Sequence, residues 1–217
     1  MKFKMLVAFF ALVLASAFTS AADKTFTQKL DEVERKLGKD KVIRPEAMAE
    51  KFGFTYTEDQ LRQLEEDLPS GIRLRWLKHS KEYVLHPGPT VSLSEFHTGK
   101  YHNPEAKVKW GAIKNVASAI PLSPNERIPE AIELVWMMVG YFKTHFIKLF
   151  PDTFVRSSTI TPMNGAVVVG LFTGDQPVIY NEAAAYAENR IVDLVPAGKR
   201  ELGYQTPLED SLFYGVF

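Results

Sequence analysis

No cysteine occurs in the 217 residues. That excludes disulfide bonds, thiolate metal sites, cysteine nucleophiles and a lipid-bearing cysteine. Asn-x-Ser/Thr acceptor sequences are missing too. So are the Gly-x-x-x-x-Gly-Lys-Ser/Thr phosphate loop, the Gly-x-Gly-x-x-Gly turn and the His-Glu-x-x-His zinc helix. There is no Gly-x-Ser-x-Gly nucleophile elbow either. Neither sign of charge is in excess: 26 basic residues face 26 acidic ones. Composition therefore gives no reason to expect binding to a nucleic acid or an anionic membrane.

What is present begins with an export signal. Lys2 and Lys4 precede an apolar run from Met5 to Ala15, and Thr19-Ser20-Ala21-Ala22 supplies small residues. A positive start, a short apolar stretch and a small-residue cleavage site are the parts a signal peptidase reads. The run is shorter than the ~20 apolar residues of a bilayer-spanning helix. A cleaved signal peptide over 1–22 is expected, with the cut after Ala22 or Ala21 and no transmembrane anchor left afterwards. Removing 22 of 217 residues leaves 195, with 24 basic and 26 acidic side chains. That length suits one domain, 23–217, held together by burial alone. The expected location is secreted or periplasmic.

The N-terminal part, 26–68, is patterned for helices. Phe26, Leu30, Val33 and Leu37 recur at helical spacing, with Gly38 at the stop. Pro45 opens a short helix through Phe52, and Gly53 ends it. Thr57 and Gln60 form a capping box ahead of Leu61, Leu64 and Leu68.

From 72 to 217 the pattern is mixed. Ile72, Leu74 and Trp76 alternate with Arg73 and Arg75, as on a half-buried strand, and Tyr83 and Leu85 continue the alternation into a hairpin. His86-Pro87-Gly88-Pro89 breaks it, and a long loop runs to Asn103. A helix with the face Ala106, Trp110, Ile113, Ala117 and Ile120 competes with a strand through Val108 and Trp110. Ser123 to Glu126 reads as a capping box. The helix behind it is the clearest element, with Ile132, Val135, Val139, Phe142, Phe146 and Leu149 on one face and Pro151-Asp152 as terminator. Thr153–Thr161, Ala166–Phe172 and Val178–Tyr180, joined at Asn164-Gly165 and Gly174-Asp175, form a three-stranded meander. A last helix follows Asn181, and the chain finishes in an apolar segment, Leu212 to Phe217. Helices first, then hairpins around a long helix, predict an α+β fold: an antiparallel sheet, meander plus hairpin, with helices packed on it.

Chemistry is sparse. His79, His86, His97 and His102 fall within 24 residues, with Glu95 among them. Imidazole and carboxylate are the ligands open to a cysteine-free metal site, so His86, His97, His102 and Glu95 are the metal-ligand candidates. Their spacing matches no established ligand pattern. Arg73, Arg75, Lys78 and Lys81 form a basic stripe that could hold an anion, although charge on an edge strand also blocks aggregation. Ser157, Ser158 and Thr159 beside Arg156, with His145 or His97 as base, would make a nucleophile only if the fold aligned them. Glu65, Glu66 and Asp67 with Glu133 could supply a carboxylate pair.

The expected function is a non-catalytic domain that binds an extracytoplasmic ligand or protein. The alternative is a metal-dependent hydrolase built on the His-rich segment. A third class acts through surface contacts alone. The cofactor is left unknown, and no cofactor at all is favoured over a divalent metal.

Overall fold

Capping chemistry places the N-terminal helices where the sequence predicts them. The computed structural model describes residues 24–80, 83–114, 127–162 and 165–181. The chain divides into two units between Glu32 and Val33, so helix α1 (Phe26–Leu37) begins in the first and ends in the second. Everything after α1 belongs to the second unit. Gly38 follows at φ 108°, a backbone region that glycine enters without steric cost. A 3₁₀ turn (Lys39–Lys41) leads to α2 (Pro45–Phe52), which has proline in its first turn and Gly53 in the left-handed conformation at its end.

Helix α3 (Glu58–Glu66) carries the full capping box: Thr57 Oγ1 accepts from the Gln60 amide and Gln60 Oε1 accepts from the Thr57 amide. Its buried face departs from the predicted leucine stripe. Gln60 and Leu64 are inside, whereas Leu61 is exposed. Burying an amide requires partners, and Gln60 has a complete set. Its Nε2 donates to the carbonyls of Asn103 and Ala106, and its Oε1 also accepts from His102 Nε2. Gln63 Oε1 accepts from the Val108 amide, Asp67 Oδ2 from the Trp110 amide, and the Leu64 carbonyl from the Trp110 indole. One face of α3 and the residue that ends it thus hold the chain from 102 to 110, through a turn at 104–106 and an extended stretch after it.

Helix α4 (Gly71–Ser80) occupies the segment where alternation predicts a strand. Leu74 and Leu77 are buried three residues apart, and Ile72 is 78 % exposed. The adjacent pair Trp76-Leu77 breaks the period of two, and the helical period buries both leucines together. The expected hairpin partner is therefore absent, and β1 (Tyr83–Pro87) pairs instead with β2 (Trp110–Lys114), antiparallel, with His86 opposite Gly111. The strand alternative at 108–110 is the one realised there. On its other edge β1 meets Val42, and Leu85 accepts a backbone hydrogen bond from Ile43. Within the predicted loop lies a short helix, α5 (Leu93–His97), opened by a second capping box, Ser92 with Glu95.

The central element is α6 (Ala131–His145), buried at every position from Ala131 to Tyr141 except Glu133. It packs against α2, where the Phe52 and Trp136 rings stack at 4.7 Å and Gly140 lies under Met48. It also packs against the meander β3 (Phe154–Ile160), β4 (Ala166–Thr173) and β5 (Gln176–Asn181), a separate three-stranded antiparallel sheet. The helix stops at His145 and not at Pro151: Phe146 turns to φ 59° and leaves the apolar face, while Leu149 is buried from beyond the helix. The outcome is an α+β fold with two antiparallel sheets. No helix among the described residues is long and apolar enough to cross a membrane. The signal segment, Lys81, the Ser123–Glu126 capping box, Asn164, the helix after Asn181 and the C-terminal segment lie outside the described residues.

Candidate functional site

Strand β1 is buried at all five positions, and that burial traps a histidine. His86 is 1 % exposed. Its Nδ1 lies 3.1 Å from the Pro87 carbonyl, which also receives the Trp136 indole N–H at 2.8 Å. A carbonyl only accepts, so Nδ1 carries the ring proton. Burial pushes the imidazole down to about 4, against smaller opposing effects of the Pro87 carbonyl and the Glu133 carboxylate. At neutral pH the ring is uncharged, and Nε2 presents a bare lone pair. No protein group among the described residues meets that atom. It lies beside Gly111, where a Cβ would come within 2.9 Å of Nε2. The glycine across the ladder makes room for the ring.

His86 and Gly111 both line a cleft of about 450 Å³. Val91 and Ile132 contribute apolar wall. Lys107 and Lys109 stand on the rim, because the extended chain held by α3 turns Val108 and Trp110 inward and the two lysines outward. Gly88 donates its amide to the Lys109 carbonyl, tying the segment after β1 to this rim. Neither lysine has an ion-pair partner among the described residues. Across the cleft, Arg127 forms a two-pronged ion pair with Glu133 at 2.8 and 2.6 Å, and Glu133 also accepts from the Glu130 amide at the start of α6. The arrangement offers one buried acceptor, two uncommitted cations and an apolar wall.

The sequence candidates fall out differently. No group of three or more His, Asp or Glu placed to share a metal ion exists among the described residues, so His86, His97, His102 and Glu95 do not form a ligand set. Each is engaged elsewhere or apart. Glu95 caps α5 and pairs with Lys100, and these contacts hold its carboxyl down at about 2. His102 donates to Gln60 and stacks on Phe54 at 4.6 Å, and partial burial lowers its pKa. His97 is exposed in the last turn of α5.

Arg73, Arg75 and Lys78 sit on α4, a helix and not a hairpin. Arg73 pairs with Asp67, while Lys78 lines a second cleft of about 450 Å³ with Lys36, Asp40 and Lys41. Ser157 is buried and donates to the Val167 carbonyl, and Thr159 Oγ1 accepts from the Ala131 amide. His145 contacts Thr144 and the Lys39 carbonyl. The serine run and its would-be base are thus engaged in holding the fold. Of the proposed carboxylates, Glu133 alone reaches the His86 cleft. Lys107, Lys109 and Arg127 were not legible as site residues, since the cleft assembles from three separate stretches of chain.

No protein-family model, curated protein or solved structure matches this chain.

Proposed function

We propose that the chain is an exported, non-catalytic domain that binds a small ligand in the His86 cleft, the ligand donating a hydrogen bond to Nε2. The observation that carries this reading is the buried, unpartnered lone pair of His86. Buried polar atoms are nearly always paired, and leaving one unpaired costs about 1–3 kcal/mol. A ligand donor removes that cost. The low basicity of the ring argues against general-base catalysis at neutral pH, where a base near the working pH is most effective. Apolar wall with a few convergent polar groups is the usual make-up of a ligand pocket. Export rests on Lys2, Lys4, the Met5–Ala15 run and the small residues to Ala22. N-terminal sequencing of the exported chain is expected to begin at Asp23 or Ala22.

The test of the cleft is a fragment library of small alcohols, amides and hydroxy acids, observed by NMR on protein labelled at the imidazole nitrogens. Fragments that bind should shift the His86 Nε2 resonance. Gly111→Ala, which places a methyl 2.9 Å from that atom, should weaken them at least about tenfold. Hits that leave His86 unmoved, or that bind Gly111→Ala equally well, would discard the assignment.

A further inference from the structure

The near-neutral charge of the whole chain conceals an uneven distribution. Phe146 is 80 % exposed and Ile147 44 % exposed, side by side in the turn beyond α6. Phe146 holds φ 59°, a region that side-chain-bearing residues enter at a cost and glycine enters freely. Its ring makes no aromatic or cation contact with any described residue. The left-handed backbone ends α6, with the Phe146 amide donating to the Phe142 carbonyl at 2.8 Å, but the phenyl ring is left in water.

The surroundings of this tip are basic. Lys143 Nζ lies 5.5 Å from the Phe52 ring centroid, and Lys148 Nζ lies 5.4 and 5.5 Å from those of Phe142 and Phe172. Both ammonium groups rest on aromatic rings, and the two lysines flank Phe146 and Ile147 in the chain. His145 Nε2 contacts the Lys39 carbonyl, and the Tyr141 hydroxyl donates to the Asp40 carbonyl, which fastens the 39–41 turn to the end of α6. That turn brings Lys39 and Lys41, and the second cleft continues it to Lys36 and Lys78. Asp40 is the acidic side chain of this group, and it faces Lys41 at 3.9 Å.

We infer that the Phe146–Ile147 tip, together with Lys143 and Lys148 beside it in the chain and the lysines of the 39–41 turn fastened to the end of α6, docks on the surface of an anionic phospholipid bilayer. An aromatic and a branched aliphatic side chain that stand off a basic surface match the two layers of that interface. The apolar pair enters the boundary between headgroups and acyl chains, and the ammoniums meet the phosphates. Each lysine near such a surface adds attraction that falls off within a Debye length. This surface is separate from the His86 cleft, and neither reading depends on the other.

The lack of cysteine makes the test clean. Ile147→Cys provides a single labelling site for an environment-sensitive fluorophore, and Glu105→Cys, at an exposed position of the 104–106 turn, provides the reference. Vesicles of phosphatidylcholine alone and of an equimolar mixture with phosphatidylglycerol are the probes. The label at 147 should shift to the blue and brighten with the mixed vesicles only, and high salt should reverse the change. The label at 105 should not respond. Adding Phe146→Gly should weaken the response at 147 at least about tenfold without lowering the melting temperature, because glycine suits φ 59°. Lys39→Glu with Lys143→Glu should weaken it as much. No response at 147 to mixed vesicles, an equal response to phosphatidylcholine alone or at 105, or full affinity in Phe146→Gly would overturn the inference.

Discussion

Gly170→Ala is expected to destabilise the protein by about 3 kcal/mol, the upper end of what overpacking a core costs. Gly170 sits in β4 opposite Phe154 of β3. A Cβ there would lie 1.9 Å from the Thr153 carbonyl oxygen and 2.8 Å from the Phe154 Cα. Both are backbone atoms, so no rotamer change relieves the overlap and the two strands must part. The consequence reaches further than one ladder. Ser157 of β3 donates to the Val167 carbonyl of β4, and Thr159 of β3 accepts from the amide that begins α6. The start of α6 carries Glu133, one wall of the His86 cleft. Urea unfolding should show the midpoint of Gly170→Ala far below that of the parent. Gly174→Ala is the comparison: φ is +68° there but the space is open, so about 1 kcal/mol is expected. Equal midpoints for the parent and Gly170→Ala would refute the packing argument.

Acid should loosen the fold well before the carboxylates alone would. His86 is neutral in the folded chain down to about pH 4 and takes a proton near pH 6.5 once unfolded. Between those values the unfolded chain binds the extra proton, so stability is complete above pH 6.5 and declines as pH falls towards 4. Integrated over that window the loss is about 3 kcal/mol. His102, whose pKa is also lowered by partial burial, acts in the same direction. Melting followed from pH 7 to pH 4 should fall steeply in the parent and less steeply in His86→Gln, which cannot be protonated. The ring provides a direct readout as well. By NMR its Cε1 proton should keep its neutral shift to about pH 5. An imidazole titrating near 6.5 would show that His86 is not sealed, and the lone-pair argument for the cleft would fall with it.

Local codes were legible where one stretch of chain is enough. Pro45 and Gly53 bound their helix, Thr57 and Gln60 cap theirs, and the β-branched runs of the meander pair as their patterning predicts. The missed helix α5 obeys the same rule: Ser92 and Glu95 form a capping box of the same kind as Thr57 and Gln60. Its signal is present in the sequence, and it gives Glu95 a capping role in place of a metal-ligand one. The segment 71–80 failed for another reason. Ile72, Leu74 and Trp76 satisfy a period of two, and the burial of Leu74 with Leu77 satisfies a helical one. Only the neighbours available to bury them choose between the two periods. Gln60 illustrates the same limit, since three of its side-chain hydrogen bonds reach 42, 43 and 46 residues along the chain.

Composition and short-range pattern therefore settle much about this protein: a cysteine-free chain stabilised by burial, its α+β class, the capped helices and the central apolar helix. Those properties arise from residues within a turn or two of one another, where spacing alone sets which side chains share a face. The clefts, the neutral tautomer of His86 and the attachment of the lysine-bearing 39–41 turn to the end of α6 arise only in the folded chain. His86 becomes a buried acceptor because Pro87 and Trp136 occupy its other side, because Gly111 across the ladder lacks a side chain, and because Gln60, Gln63 and Asp67 steer Lys107 and Lys109 to the rim. Desolvation and hydrogen-bond pairing depend on groups brought together from distant positions, so tertiary structure decides them.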